Sequence, residues 1–204
     1  MSIRAVTVYC SSSNKLAQPF ADAAAELGRA LAMNGWKLVY GGNDVGNMGT
    51  LANACRDAGG KVIGVTPKLF CEKGVVDQRC DELLVTDGMR DRKAIMEERG
   101  DAFVALPGGL GTFEEIFEII CGKQLGYHAK AIVLLNIDGY YDPLLAMIDH
   151  GLELNFIRPR ARTLFFVAAT VVEAIEYLRN YRPPQKDSDL SFEVSRSAPP
   201  SAIE

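Results

Sequence analysis

Short apolar runs rich in β-branched residues recur along the chain at Ala5 to Tyr9, Lys37 to Tyr40, Val62 to Val65, Leu83 to Val85, Ala102 to Leu106, Ala131 to Leu135 and Phe165 to Val167. They are continuous rather than alternating, the pattern of strands buried on both faces. Between them, Phe20 to Met33, Thr50 to Ala58, Met89 to Glu98, Thr112 to Leu125, Pro143 to Leu154 and Val171 to Tyr181 repeat their apolar positions at helical spacing. Strand and helix alternate almost throughout, which predicts an α/β fold with a mostly parallel, doubly wound sheet and helices on both faces. Such a sheet places ligand sites in loops beyond the carboxyl ends of its strands.

The pattern stops after Tyr181. Residues 182–204 set Pro183, Pro184, Pro199 and Pro200 around a polar, serine-containing run, with few apolar side chains to offset the entropy of ordering, so a disordered tail is expected. Nothing within 1–181 reads as a linker or an internal repeat, and one domain is expected there.

Composition narrows the function classes. The chain has 204 residues, 48% of them hydrophobic, and a formal net charge of −4. Weak acidity argues against a general nucleic-acid binder, which would carry a clustered basic surface. No run approaches the roughly 18 apolar residues of a membrane span, and Met1 to Tyr9 lacks the regions of a signal peptide, so a cytoplasmic protein without a membrane partner is expected. The five cysteines, Cys10, Cys55, Cys71, Cys80 and Cys121, are widely spaced, with only His128 and His150 as histidines. That set suits buried or loop thiols better than a disulfide framework or a zinc site, and no metal is expected.

The most informative segment runs from Ala102 to Glu115, where an apolar strand meets Pro107, Gly108, Gly109 and Gly111 and opens directly into an amphipathic helix. Glycines there let the backbone turn sharply and approach a ligand closely, while the free N–H groups and positive dipole end of the helix face an anion. Thr112 adds a hydroxyl. Neither the dinucleotide spacing Gly-x-Gly-x-x-Gly nor the Walker Lys-Ser/Thr ending is present. Phosphate binding is favoured over a plain glycine-rich turn.

Glu114, Glu115 and Glu118 read as lying opposite Phe113, Ile116, Phe117 and Ile120 on that helix. A carboxylate three residues after a phosphate-holding threonine would stand near a sugar attached to the phosphate, where it could support an oxocarbenium-like transition state or orient water. The dipole of the helix would also favour a first-turn glutamate for stability alone, and spacing does not separate the two readings. In Met89-Arg-Asp-Arg-Lys93, Met89, Arg92 and Met96 share one face, which places a guanidinium on an apolar stripe where it needs an anionic partner. That partner is either a core carboxylate in a structural ion pair, or a phosphoribosyl group or Glu115 in a functional site. Two more loops follow strands, Cys10 to Asn14, with Ser11 as a candidate phosphate contact, and Gly41 to Thr50. Three anion-friendly loops on one rim fit a nucleotide better than three independent turns.

Pro107-Gly-Gly-Leu-Gly-Thr-Phe-Glu-Glu115 matches Pro-Gly-Gly-x-Gly-Thr-x-x-Glu, and Met89-Arg-Asp-Arg-Lys93 is close to Met-His-x-Arg-Lys. The chain thereby resembles the Lonely Guy family of cytokinin riboside 5′-monophosphate phosphoribohydrolases, often mislabelled as lysine decarboxylases, from Ala5 to about Tyr181, including Leu134 to Asp142. The resemblance implies a Rossmann-like fold, usually a homodimer, that needs no cofactor and hydrolyses a purine nucleoside 5′-monophosphate to free base and ribose 5-phosphate. It implies Arg92 and Glu115 as the catalytic pair, with Met89, Lys93 and the Gly108 to Thr112 loop at the substrate and Glu72 as a further contact from the preceding loop. Arg90 stands where the motif has His, Asn43 and Asn47 depart from Gly-Gly-Gly and Gly-Leu-Met-Gly, and Ser12 replaces a glycine. Lysine decarboxylation would require pyridoxal phosphate on a Schiff-base lysine with partners for its ring nitrogen, and no lysine here has that setting.

Overall fold

The computed structural model of the protein describes residues 2–183, so the expected tail lies outside the described residues apart from Arg182 and Pro183. Seven strands, β1 (Ala5–Tyr9), β2 (Lys37–Tyr40), β3 (Val62–Pro67), β4 (Glu82–Thr86), β5 (Ala102–Ala105), β6 (Ala131–Leu135) and β7 (Phe166–Ala168), form one sheet in the order β4-β3-β2-β1-β5-β6-β7. Every pairing is parallel, so the sheet is wholly rather than mostly parallel. The four central strands β2, β1, β5 and β6 are buried along almost their whole length, whereas the edge strands β4 and β7 are only partly so. An edge strand lacks a neighbour on one side, and its helix cover thins there.

Strand residues alternate between two cores. Val6, Val8 and Cys10 face α1 (Gln18–Met33), α2 (Gly46–Asp57) and α7 (Val171–Asn180). Ala5 and Tyr9 face α4 (Met89–Arg99), α5 (Leu110–Gln124) and α6 (Asp142–Glu153), with Met96, Ile116, Ile119 and Ile148 in the second core. A short helix, α3 (Lys68–Glu72), follows β3. No described helix is long and apolar enough to cross a membrane.

Helices α1 and α2 meet at Gly28, where a methyl group would run into the Leu51 carbonyl oxygen and stand 2.9 Å from Cys55 N. Backbone cannot step aside as a flexible side chain can. Gly28→Ala is therefore expected to cost about 1–3 kcal/mol by overpacking, lowering Tm by several degrees at ~2–4 °C per kcal/mol. An unchanged melting curve would contradict this packing.

The chain reverses strand order between β1 and β5: β2, β3 and β4 extend to one side, β6 and β7 to the other. The loops after β1 and β5 consequently splay apart at their carboxyl ends and leave a crevice between them.

Candidate active site

Beyond that crevice lies a cleft of about 370 Å³ lined by Cys10 to Ser13, Asn43, Met48, Phe70, Met89, Arg92, Gly109 to Thr112 and Glu115. A depression of about 540 Å³ near Ser2, Trp36 and Arg179 is roomier. Of these two, the cleft at the strand ends is the one that holds a buried pair of ionisable groups, and chemistry rather than volume selects it.

Its floor is the start of α5. The N–H groups of Leu110, Gly111 and Thr112 precede the first helical bond, from Phe113 N–H to the Gly109 carbonyl at 3.0 Å, and no side chain caps them. A Cβ at Gly109 or Gly111 would enter open space, whereas one at Gly108 would collide with the Thr112 side chain. Gly108 thus lets the turn close on the buried Thr112, and the other two glycines leave room for a ligand to touch backbone.

Two tyrosines brace the turn from below. The Tyr141 hydroxyl donates to the Leu106 carbonyl at 2.7 Å and the Tyr140 hydroxyl to that of Gly108. Phe113 stacks against Tyr140 at 6.4 Å between ring centroids and Phe20 meets it edge-on at 6.0 Å. Sequence reasoning noted the Leu134 to Asp142 segment only as part of a resemblance. The available signal was the adjacent Asp138 and Gly139, both at positive φ, which swing the tyrosines back under the glycine turn.

The charged pair comes from two helices. Arg92, in the first turn of α4, donates from Nε to the Val65 carbonyl at 3.0 Å and from Nη1 to Glu115 Oε1 at 2.5 Å. Its other amino group fills the space that Gly41 leaves by having no side chain. Arg92 is 3% and Glu115 6% exposed. Burial pushes the Glu115 carboxyl up from its ordinary value, and the Arg92 charge and hydrogen bond oppose this without cancelling it.

Glu115 therefore does not share the solvated side with its neighbours. Thr112, Glu115, Ile116 and Ile119 form the buried stripe of α5, while Glu114 and Glu118 stay exposed and bind Lys93, Glu118 at 2.8 Å. The counter-charge of Arg92 makes burial of Glu115 tolerable, and Phe117 turns outward at 37% exposure.

Ser11, Met89, Arg92, Gly109, Gly111, Thr112 and Glu115 meet in the cleft. Gly108 lies behind it under Thr112. Lys93 is engaged by the two glutamates outside the cleft lining, and the exposed Glu72 ends α3 away from it, with Phe70 of the same helix as its lining residue. Asn47 is structural, donating to the Phe20 carbonyl at 3.1 Å, and Arg90 is exposed. Gly46 packs against Ser12 and Ser13 and donates to Asn14 Oδ1 at 2.7 Å, which seats the serine loop on α2. Among the described residues, no three His, Cys, Asp or Glu side chains gather as a metal site would require.

Residues 48–178 match the family described as "Possible lysine decarboxylase". The cytokinin riboside 5′-monophosphate phosphoribohydrolase LOG of Oryza sativa subsp. japonica is 43% identical over 180 residues, 88% of this chain and 72% of that one. Its namesake LOG3 of Arabidopsis thaliana is 42% identical over 180 residues, 88% of this chain and 84% of that one. Among solved structures, the molybdenum cofactor carrier protein of Chlamydomonas reinhardtii superposes with a TM-score of 0.65 at 27% identity, covering 86% of this chain and 95% of that one. The molybdenum cofactor binding protein of Rippkaea orientalis gives 0.66 at 24% identity, covering 87% and 96%, and speaks to the fold alone. With a family match over more than half its length and relatives above 40% identity across most of it, the chain belongs to the Lonely Guy family of cytokinin riboside 5′-monophosphate phosphoribohydrolases.

Proposed function

We propose that this protein hydrolyses the N-glycosidic bond of a purine nucleoside 5′-monophosphate, AMP or an N6-substituted AMP, to free base and ribose 5-phosphate. The observation that carries the reading is the buried Arg92–Glu115 pair set beside an uncapped, glycine-opened helix start. The N–H groups of Leu110 to Thr112 and the Thr112 hydroxyl take the 5′-phosphate, with Ser11 across the cleft. Met48, Phe70 and Met89 supply apolar walls suited to a flat base.

Arg92 holds Glu115 Oε1, which leaves Oε2 as the oxygen for substrate. As the C1′–N9 bond lengthens, positive charge spreads over C1′ and the ring oxygen, and the Glu115 carboxylate stabilises it and orients the attacking water. Water supplies a hydroxyl to C1′ and a proton to the departing purine. Among the described residues, no lysine lines the cleft to form a Schiff base, which speaks against the amino-acid decarboxylase that the description of the matching family suggests.

Incubating the purified protein with AMP tests this: adenine and ribose 5-phosphate should appear in equal amounts. AMP bound but left intact, across a panel of nucleoside monophosphates, would instead favour a nucleotide-sensing module.

A homodimer is part of the proposal. Leu69, Val85, Leu110, Phe117 and Leu125 are large apolar side chains left between 37% and 85% exposed; helix α5 carries Leu110, at the cleft, and Phe117, with Leu125 as its C-cap. Light scattering at micromolar concentration should return twice the chain mass; a monomer throughout would contradict it.

A further inference from the structure

We infer that Asn43 reads the base: its side-chain amide hydrogen-bonds the polar edge of the purine and sets which nucleotide this protein prefers. This rests on the reading of the cleft as a nucleoside monophosphate site.

Asn43 lines the cleft and is only 5% exposed, yet its Oδ1 is buried without a hydrogen-bond partner. The other such side-chain atom among the described residues is Thr66 Oγ1. Both flank Gly42, whose Cβ position would lie 3.2 Å from Thr66 Cβ. Buried polar atoms in folded proteins are nearly always paired, so an orphan calls for an explanation; in the lining of a nucleotide cleft, the explanation we draw is a partner supplied by the ligand.

The mount of this amide is rigid. Asn43 bridges to Val76, with Asp44 N–H donating to the Val75 carbonyl at 2.9 Å and Asp77 N–H to that of Gly42 at 2.8 Å. Asp77 is itself pinned by Arg56 at 2.6 Å, Arg79 at 3.0 Å and the Tyr40 hydroxyl at 3.1 Å. Arg79 reaches across to Asp44 at 2.8 Å. Backbone position is thus fixed, and the free variable is the broad, two-fold terminal torsion of the amide, which can turn either end into the cleft.

Strand order supplies the direction. Along the rim the loops run from the phosphate-binding turn after β5, through the serines after β1, to Asn43 after β2 and Phe70 after β3. A nucleotide with its phosphate at the first of these extends its base toward the last two, where Met48 and Phe70 line the cleft together with Asn43. An amide carries an acceptor and a donor side by side, the complement of an exocyclic amino group next to a ring nitrogen, as on adenine.

The test compares kcat/KM for AMP and for the purine riboside 5′-monophosphate that lacks the 6-amino group, in the full-length parent and in Asn43→Ala. The parent should prefer AMP by at least ~10-fold, and Asn43→Ala should reduce that ratio to within about 3-fold through a loss on AMP. Asn43→Leu, apolar and nearly isosteric, should do the same and serves if the alanine variant does not fold. A ratio unmoved by both substitutions, including an equal fall on both substrates as a ribose contact would give, overturns the assignment while leaving the hydrolase reading intact. A parent that releases base from neither nucleotide overturns the hydrolase reading, and this inference with it.

Discussion

Glu115→Gln should bind AMP about as well as the parent and release adenine at least ~100-fold more slowly, the scale typical of a positioned base or electrostatic stabiliser. The split between binding and turnover follows from the geometry. The phosphate grip lies in the backbone of Leu110 to Thr112, which the substitution does not touch, whereas the charge opposing the oxocarbenium-like transition state is what glutamine lacks. Glutamine retains a carbonyl oxygen to accept from Arg92, so the guanidinium, 3% exposed, keeps a hydrogen bond. Loss of the buried counter-charge still lowers stability, and turnover should be measured below the melting transition of the variant. Near-normal turnover would remove Glu115 from the mechanism. A pH profile provides an independent check. Burial raises the Glu115 carboxyl despite Arg92, so as pH falls the inactive, protonated form accumulates earlier than for an ordinary glutamate. The acid limb of kcat/KM should therefore lie above the usual glutamate range and be absent from the residual activity of Glu115→Gln.

The second large effect concerns the phosphate. Adenosine, identical to AMP at the bond being broken, should be hydrolysed with a kcat/KM at least ~100-fold lower. The phosphate is remote from C1′, and its binding energy at the helix start is what holds the ribose against Glu115. Adenine release from the two compounds at equal concentration decides it. Comparable rates would mean that the Gly108 to Thr112 turn is not the anchor.

Much of this architecture is readable in one dimension because central strands of a parallel sheet are covered on both faces. Ala5–Tyr9, Lys37–Tyr40 and Ala131–Leu135 coincide with their apolar runs to the residue. Helix α2 starts four residues before Thr50, at Gly46, among Gly and Asn that disfavour helix; packing against α1 overrides local propensity there. The five-residue α3 is too short to show a period.

The site divides in the same way. The glycine turn is local and legible, since a strand, three glycines and a helix lie in one continuous segment. The environment of Glu115 is not, because three glutamates within five residues look alike until Arg92 arrives from another helix and draws one of them inward while Lys93 collects the other two. The tyrosine brace depends on a chain reversal 32 residues from Gly108. Asn43 reads as a loop residue until its missing partner is seen.

The central claim is that the helix start and the buried Arg92–Glu115 pair converge on one phosphoribosyl group. A crystal structure of Glu115→Gln with AMP bound addresses it most directly. The account predicts the phosphate on the N–H groups of Leu110 to Thr112, with C1′ facing residue 115. A phosphate bound elsewhere, or a ribose turned away from residue 115, would contradict it.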